Sequence, residues 1–305
     1  MKKFTIKEFR ERYPDDDACL DKIFQLRFSN LVCPKCENDK PFKRVKDRRS
    51  YQCRCCGFQV YPTKNTVFEK TTTPLTYWFY AIYLQTTTRN GVAAKELERQ
   101  LDVCYKTALR MAHQIKILMS DKQNPVFRGV VEIDETYLGG QAKNYSNSKR
   151  KKLEQENVKN YNAYGKTPVF GILERGEGGK IYTEVMSAIT RAWAEETIKR
   201  LVPFGSKVYT DNSQIYAKLH MVYNQGVVNH VDKVYAKGPR HVNTIESFWS
   251  MVKRTIRGTH IHVSDKHLQK YLDEIAFRWE HRHDQAGMFE TILSRVTSFS
   301  GLKPS

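Results

Sequence analysis

Three acidic residues are the strongest candidates for chemistry in this sequence: Asp134 in VVEIDET, Asp211 at the end of KVYTD, and Glu246 in HVNTIESFWSMVKR. Taken alone, each has a simpler explanation, namely a strand end, a helix N-cap and a capping box with Asn243. Together, two acids on strands and one on a later helix can converge beside a sheet. Hard oxygen ligands in such a cluster suit Mg²⁺ or Mn²⁺. Two such ions can activate an attacking oxygen and stabilise a leaving oxygen in phosphoryl transfer, so the sequence predicts a two-metal site.

The residues around the third acid extend this prediction and leave one alternative open. Lys253 follows Glu246 by seven residues, which places it two helical turns on along the same face. Lys253 is therefore predicted to hold a DNA phosphate near the site, and Arg254 is a second predicted DNA contact. Asn243 lies one helical turn before Glu246 and is the alternative third ligand.

The strand around Asp134 predicts which side of the sheet carries the acid. Side chains alternate along a strand, so Glu132 and Asp134 share one face while Val131 and Ile133 take the other. An acid in so apolar a strand is costly to bury unless it is paired or bound to a metal. Glu132 and Glu135 are spare acids that can be mistaken for the first ligand.

Four of the cysteines predict a structural zinc site. Cys33 and Cys36 form one C-x-x-C pair, and Cys53 and Cys56 form a second pair after sixteen intervening residues. This spacing is typical of a zinc ribbon. Four thiolates complete a tetrahedral shell, so the ion would be structural, with no open position for catalysis. Cys55 is interpreted as a bystander, and reduced buried cysteines without metal are the alternative.

The charge balance points to a polyanionic partner. The chain has 51 Lys and Arg against 33 Asp and Glu, a net charge of +18. Such an excess favours nucleic acid as the partner, and a basic surface kept for solubility is the alternative. The basic stretch 43–49 between the cysteine pairs is predicted to contact phosphate, unless it is a solvated charge run. A second predicted DNA contact is the cluster Lys149, Arg150, Lys151 and Lys152.

The apolar pattern divides the chain into four parts. Residues 1–30 predict a helical lead-in, residues 31–62 the zinc ribbon, and residues 72–123 an all-α segment. From residue 126 to 295 the order of strands and helices predicts an α/β domain, with a mixed sheet flanked by helices.

Part of the all-α segment has the pattern of a helix-turn-helix. In AAKELERQLDVCYKTALRMAHQI the second helix would present Tyr105, Lys106 and Arg110 to the major groove. A plain helical hairpin is the alternative.

The termini and the apolar runs predict where the protein is found. The N-terminal residues contain no apolar signal-peptide core. No stretch approaches the roughly 20 apolar residues that span a bilayer. The sequence therefore predicts a soluble, cytoplasmic protein associated with the nucleoid.

Several blocks of the sequence resemble those of one known family. VEIDETYLGG, YTDNSQIY and HVNTIESFWSMVKRTIRGTH are similar to the motifs of DDE-type insertion-sequence transposases. YQCRCCGFQVYPTKNTVFEKT is similar to the zinc ribbon of the group related to Merlin elements. The resemblance runs from about residue 18 to about residue 285, and thirty-four residues separate Asp211 from Glu246, close to the spacing familiar in DDE enzymes.

The resemblance implies an RNase H-like catalytic domain in which Asp134 and Asp211 are the first two carboxylates. Some members of the group carry Asn at the third position, so Asn243 stays beside Glu246 as a candidate. The implied function is metal-dependent cleavage and strand transfer of double-stranded DNA at the ends of a mobile element. Assembly on DNA implies a homodimer or a larger oligomer. A domesticated DNA-binding regulator without catalysis and a nuclease that cuts without joining are the alternatives.

Overall fold

The structure is a computed structural model that describes residues 3–120, 125–139, 146–148, 151, 166–228, 241–261 and 263–296. It divides into two compact units, one formed by Met1–Met119 with His283–Ser305 and the other by Ser120–Arg282. Within the described part of the chain, no helix combines the length and the apolar character needed to cross a membrane.

The first unit combines helices with a small three-stranded sheet. The predicted lead-in forms two helices, and the sheet is antiparallel with the order β1-β2-β3. The elements in chain order are α1 (Ile6–Arg12), α2 (Asp16–Phe28), β1 (Lys43–Arg44), β2 (Tyr51–Gln52), β3 (Gln59–Val60), α3 (Leu75–Thr87), α4 (Ala94–Leu101) and α5 (Tyr105–Met119).

The second unit is built on a mixed five-stranded sheet. Its elements in chain order are β4 (Val131–Gly139), β5 (Lys166–Glu174), β6 (Ile181–Val185), α6 (Arg191–Leu201), β7 (Lys207–Asp211), β8 (Asn224–Val228), α7 (Asn243–Thr255) and α8 (Asp265–Glu280). The strand order is β6-β5-β4-β7-β8. The first three strands are antiparallel neighbours, whereas β7 and β8 run parallel to β4. The predicted mixed sheet flanked by helices is confirmed.

Each face of this sheet is covered by its own apolar core. On one face, Val131 and Ile133 pack with residues of α6 such as Ile198. On the other face, residues of α7 and α8 pack on the sheet. Because side chains alternate along β4, Glu132 and Asp134 share the face opposite Val131 and Ile133, as predicted. That face is the one covered by α7. The central strand is thus covered on both sides, so its acidic residues need partners within the protein.

One helix lies in a different unit from the predicted one. The sequence places residues up to 295 in the α/β domain, but α9 (Gln285–Arg295) belongs to the first unit. Its Phe289 is fully buried, and its ring centre lies 5.0 Å from that of Phe4. The Arg295 guanidinium donates to the carbonyl oxygens of Leu118 and Met119 at the end of α5. The amphipathic pattern of α9 shows that it needs a partner surface but not which surface.

Asp16 connects two helices of the first unit. The residue before α3 is Pro74, which offers no side-chain cap. The Asp16 carboxylate accepts instead from the backbone N–H of Leu75 (3.0 Å) and of Thr76 (2.9 Å). Burial acts to raise the pKa of Asp16, but these N–H donors and Arg49 outweigh it and hold the pKa below its ordinary value. A carboxylate at the start of α2 therefore caps a helix that begins about sixty residues later.

We expect Asp16→Ala to destabilise the first unit by about 1–2 kcal/mol, because two helix N–H groups lose their acceptor. The folded-state pKa lies below the unfolded one, so this contribution is present above about pH 4 and is lost as pH falls through the folded pKa. Urea denaturation of wild type and variant at pH 7 and pH 3 measures the difference at each pH. Glu11→Ala, which removes an exposed carboxylate of α1, is the matched control and should change little. An equal effect of the two substitutions at pH 7 would contradict the capping role.

Candidate active site and zinc centre

Asp134 and Asp211 lie side by side on neighbouring strands. The parallel register of β4 and β7 pairs Ile133 with Thr210, and the next residue on each strand is one of the two acids. Neighbouring strands are about 4.8 Å apart, so the two carboxylates project from adjacent positions on the same face. Sequence spacing predicted this convergence, and the register provides it.

A glycine on the other side of Asp134 lets α7 approach the sheet. Gly171 of β5 pairs with Asp134. A Cβ atom at Gly171 would lie 2.4 Å from the indole ring of Trp249 on α7, closer than any real contact. Trp249 is almost fully buried and cannot move aside cheaply. The helix that carries Glu246 therefore sits against the strand pair that carries Asp134.

The electrostatics of Asp134 reflect both its burial and three neighbouring acids. Burial is the main cause that raises the pKa of Asp134 to about 7, and the charges of Glu135, Asp211 and Glu246 raise it further. A cation beside these carboxylates would relieve the repulsion, and their hard oxygen donors fit Mg²⁺ or Mn²⁺. Over the described residues, only four cysteines bring three or more ligand atoms within 4.8 Å of one another, so the carboxylate oxygens of Asp134, Asp211 and Glu246 do not all lie within that distance of one another.

Two of the acids, Glu246 and Asp211, could instead serve only to cap helices. The capping box of Asn243 with Glu246 is wrong, because the N-cap of α7 is Val242 and Asn243 is already helical. The N-cap explanation of Asp211 holds only in part. The short helix at 214–216 is capped by Ser213, whereas Asp211 accepts from the Ser213 N–H at 3.1 Å. Asn243 and Glu246 are both exposed at the start of α7, and the choice between them as third ligand stays a prediction.

Glu132, which the sequence suggested only as a spare acid, has a structural role. Its side chain is fully buried. The carboxylate accepts from the Thr244 hydroxyl (2.9 Å) and from the Ile245 backbone N–H (2.8 Å) at the start of α7, and it pairs with Arg175. The only sequence signal was the cost of an acid at a buried position of an apolar strand. That signal requires a partner but does not identify it.

The second spare acid, Glu135, projects from the other face of β4 and accepts from the hydroxyl of buried Tyr216. Burial raises the pKa of Glu135, and the charge of Asp211 raises it further against the lowering effect of the Tyr216 hydroxyl. Glu135 is thus engaged by Tyr216 and is a poorer metal-ligand candidate than Asp134.

The four predicted cysteine ligands form a cluster. The Sγ atoms of Cys33 and Cys56 are 3.5 Å apart, those of Cys36 and Cys53 are 3.6 Å apart, and all four lie within 4.8 Å of one another. Four Zn–S bonds of about 2.3 Å place the sulfur atoms of a tetrahedron about 3.8 Å apart. The cluster therefore fits one zinc ion. Cys55 is exposed and lies outside the cluster.

The two cysteine pairs sit on equivalent turns. Glu37 and Gly57, which follow the second cysteine of each pair, have positive φ angles of 52° and 73°. Their N–H groups donate back to the carbonyl oxygens of Cys33 and Cys53. The N–H groups of Cys56 and Cys55 point at the Cys53 sulfur and lower the pKa of its thiol, whereas the hydrogen bonds among the four thiols raise the pKa of Cys36.

The predicted DNA contacts are exposed to different degrees. Tyr105, Lys106 and Arg110 lie on the exposed side of α5, which follows α4 after a short turn with Asp102 in the left-handed region. The exposed fraction of Tyr105 is 47%. On α7, Arg254 is exposed and Lys253 is half-buried. Lys151 is exposed, whereas Lys149, Arg150 and Lys152 lie outside the described residues.

Two arginines of the stretch between the cysteine pairs are used inside the first unit. Arg44 pairs with Asp17 at 2.6 Å, and Arg49 donates to the carbonyl oxygens of Thr71 and Thr73. The exposed cations left for a phosphate contact in this stretch are Lys43, Lys46 and Arg48.

Comparison with known families gives this geometry a context. Residues 126–280, about half of the chain, match the ISXO2-like transposase domain, and residues 14–59 match the transposase zinc-ribbon domain. The chain belongs to the IS1595-type transposase family. The predicted relationship to insertion-sequence transposases with a zinc ribbon is therefore confirmed. The four clustered cysteines of the transposase all fall within the matched ribbon.

A relative supports the assignment along most of the transposase. An uncharacterized protein in transposable element ISH50 of Halobacterium salinarum is 30% identical over 269 residues, which cover 85% of this chain and 88% of the relative. No solved structure shows a significant match.

We expect Cys36→Ser to lower the zinc content of the transposase well below one ion per chain, because it leaves three thiolates for a four-ligand shell. Colorimetric zinc release from the purified protein measures the content. Cys55→Ser is the matched control, since Cys55 lies in the same ribbon but outside the cluster. Equal zinc content in the two variants would show that the cluster does not bind the ion.

We expect Asp134→Asn to stabilise the transposase in buffer without added Mg²⁺ or Mn²⁺. The pKa of Asp134 is raised from 3.8 to about 7, so the folded state holds this proton more tightly than the unfolded state. Wild-type stability should therefore fall as pH rises from about 4 to about 7, and the variant should escape this loss. The gain at pH 8 should be roughly 2–4 kcal/mol in urea denaturation and should vanish near pH 4. Glu177→Gln, on an exposed turn, is the control. If Asp134→Asn gives no gain in stability at pH 8, the pKa of Asp134 is not raised in the folded state.

Proposed function

We propose that this transposase cleaves double-stranded DNA at the ends of a mobile element and joins the freed strands to a target, using Asp134, Asp211 and Glu246 in an RNase H-like domain. The observation that carries the proposal is the register that sets Asp134 beside Asp211 on adjacent strands, with the helix that carries Glu246 packed on the same face of the sheet. The mixed sheet with helices on both faces supports the proposed domain fold.

The three carboxylates are the residues that would hold Mg²⁺ or Mn²⁺, as a pair of ions. When bound, these ions supply charge stabilisation for the attacking and leaving oxygens of the phosphodiester. In the first step water forms a new P–O bond while the P–O3′ bond at the element's end breaks, which leaves a 3′-OH and a 5′-phosphate. In the second step that 3′-OH attacks a target phosphodiester, so one P–O bond forms as another breaks.

In this proposal, basic residues of α7, the zinc ribbon and the α4–α5 pair bind and orient the DNA. Lys253 and Arg254 lie two turns beyond Glu246 on α7 and would neutralise phosphates next to the scissile bond. The zinc ribbon and the α4–α5 pair would recognise the terminal repeats, with Tyr105, Lys106 and Arg110 facing the DNA. Pairing of two element ends requires at least two copies of the chain, so a homodimer or larger assembly on DNA is part of the proposal.

Glu246 is the proposed third ligand. It carries a charge that raises the pKa of Asp134, whereas the neutral amide of Asn243 offers a weaker ligand to a hard cation. Asn243 also lies in the first turn of α7, where it can orient Glu246 or the substrate without replacing it.

We expect Asp134→Asn, Asp211→Asn and Glu246→Gln each to reduce DNA cleavage and strand transfer by at least about 100-fold, because even outer-shell partners of a metal site cost 10–100-fold when lost. The assay uses duplexes cut from the DNA that flanks the gene, with Mn²⁺ present. Asn243→Ala should retain more activity than Glu246→Gln. Glu177→Gln is the carboxylate control.

Full activity of any of the three acidic variants would remove that residue from the site. If Glu246→Gln stays active while Asn243→Ala does not, the third ligand is Asn243. Binding of the flanking DNA without any cleavage, in wild type as in the variants, would instead favour a DNA-binding regulator that has lost catalysis.

A further inference from the structure

We propose that Glu132 and Arg175 form a positioning pair that sets the spacing of the three acids and thereby the metal affinity of the site. This inference rests on the proposed function only in treating the acids as metal ligands. The pair touches neither substrate nor metal in the proposal. It acts through the three elements that carry Asp134, Asp211 and Glu246.

The first link is through β4, the strand that carries both Glu132 and Asp134. Glu132 lies two residues before Asp134 on the same strand, so the two side chains share one face about 6.6 Å apart along the strand. Glu132 is fully buried, whereas Asp134 is only partly buried. The Glu132 side chain thus lies next to that of Asp134 on the same face of the sheet, deeper in the core.

The second contact is with the start of α7. The N-cap residue Val242 has no side chain that can accept a hydrogen bond. The Glu132 carboxylate supplies the acceptor, for the Ile245 N–H at 2.8 Å and for the Thr244 hydroxyl at 2.9 Å. A negative charge at a helix N-terminus is favourable. Glu246 is the next residue of the helix, so the bond to Ile245 fixes the backbone immediately before the third acid.

The third contact is with β7, through Arg175. The Arg175 guanidinium pairs with Glu132 and lies 4.5 Å from the ring centre of Tyr209. Tyr209 pairs with Glu132 in the sheet register and precedes Asp211 by two residues on the same face. Arg175 also contacts the imidazole of His241, which precedes α7, at 3.1 Å. One ion pair, in which Glu132 is fully buried and Arg175 partly buried, therefore contacts residues next to all three acids in the sequence or on the same strand.

Stability alone does not explain an ion pair at this position. Removing two charges from water costs about as much as their attraction returns, and apolar residues of similar size often give an equally stable core. What the ion pair adds is direction, since the carboxylate accepts only at defined angles and the guanidinium is planar. Three carboxylates carried by three different elements need such a frame to keep their spacing before a cation binds. If the contacts of Glu132 and Arg175 are weakened, the affinity for the metal should fall more than the reaction rate at saturating metal.

The test is Glu132→Gln in the full-length, zinc-loaded transposase. We expect the Mn²⁺ concentration for half-maximal cleavage to rise at least about tenfold, while the maximal rate stays within about threefold of wild type. Calorimetric titration with Mn²⁺ alone should show the same loss of affinity without any DNA. Thr244→Val, which removes a single bond to Glu132, should give a smaller shift in the same direction and covers the case in which Glu132→Gln does not fold.

The control for lost stability is Ile198→Ala, a fully buried residue of α6 on the opposite face of the sheet. It should lower the melting temperature without changing the Mn²⁺ requirement. Wild-type Mn²⁺ requirement and affinity in both Glu132→Gln and Thr244→Val would overturn the proposal, as would the same shift in Ile198→Ala. A lower maximal rate at an unchanged Mn²⁺ requirement would overturn it as well. Failure of the proposed function shows differently: wild type itself would then neither cleave DNA nor lose Mn²⁺ affinity on Asp134→Asn.

Discussion

The free backbone N–H groups at the start of a helix need acceptors, and this constraint organises both units. Neither α3 nor α7 begins after a residue whose side chain can cap it, since Pro74 and Val242 hold those positions. In each case a carboxylate from a distant element supplies the acceptor, Asp16 for α3 and Glu132 for α7. A capping interaction that is usually local has become a tertiary one. The orientation of each helix therefore depends on one carboxylate, which is half-buried for α3 and fully buried for α7.

At the acid cluster this attachment works against electrostatic repulsion. The interactions that hold α7 on the sheet, namely the Glu132 cap and the fit of Trp249 over Gly171, also fix the helix that carries Glu246, whose charge raises the pKa of Asp134. Burial and the neighbouring acids raise the pKa of Asp134, so its charged form is disfavoured in the folded state, and the apolar packing on both faces of the sheet offsets this cost. Perturbed ionisation in such a cluster is typical of functional sites, where the environment a ligand requires is present before the ligand arrives.

Sequence patterns predicted the features that have a local signature. Cysteine spacing gave the zinc cluster, alternation in β4 gave the faces of Glu132 and Asp134, and the strands and helices around the acids were recognisable. Strand β8 was not predicted, because polar residues and Gly226 interrupt its short apolar pattern. The capping box of Asn243 with Glu246, one alternative explanation of the sequence, was wrong, since a remote acceptor such as Glu132 leaves no local pattern. The sequence does not predict which elements pack together. The surface that α9 covers and the helix that Glu132 caps depend on the tertiary structure.

The placement of α9 determines how the core of the first unit closes. The second unit, Ser120–Arg282, is one continuous segment of the chain. The first unit consists of two segments, and Phe289 of α9 packs on Phe4 near the other end of the sequence. Closing that core therefore joins segments separated by the whole second unit, which costs more loop-closure entropy than a contact between neighbouring elements.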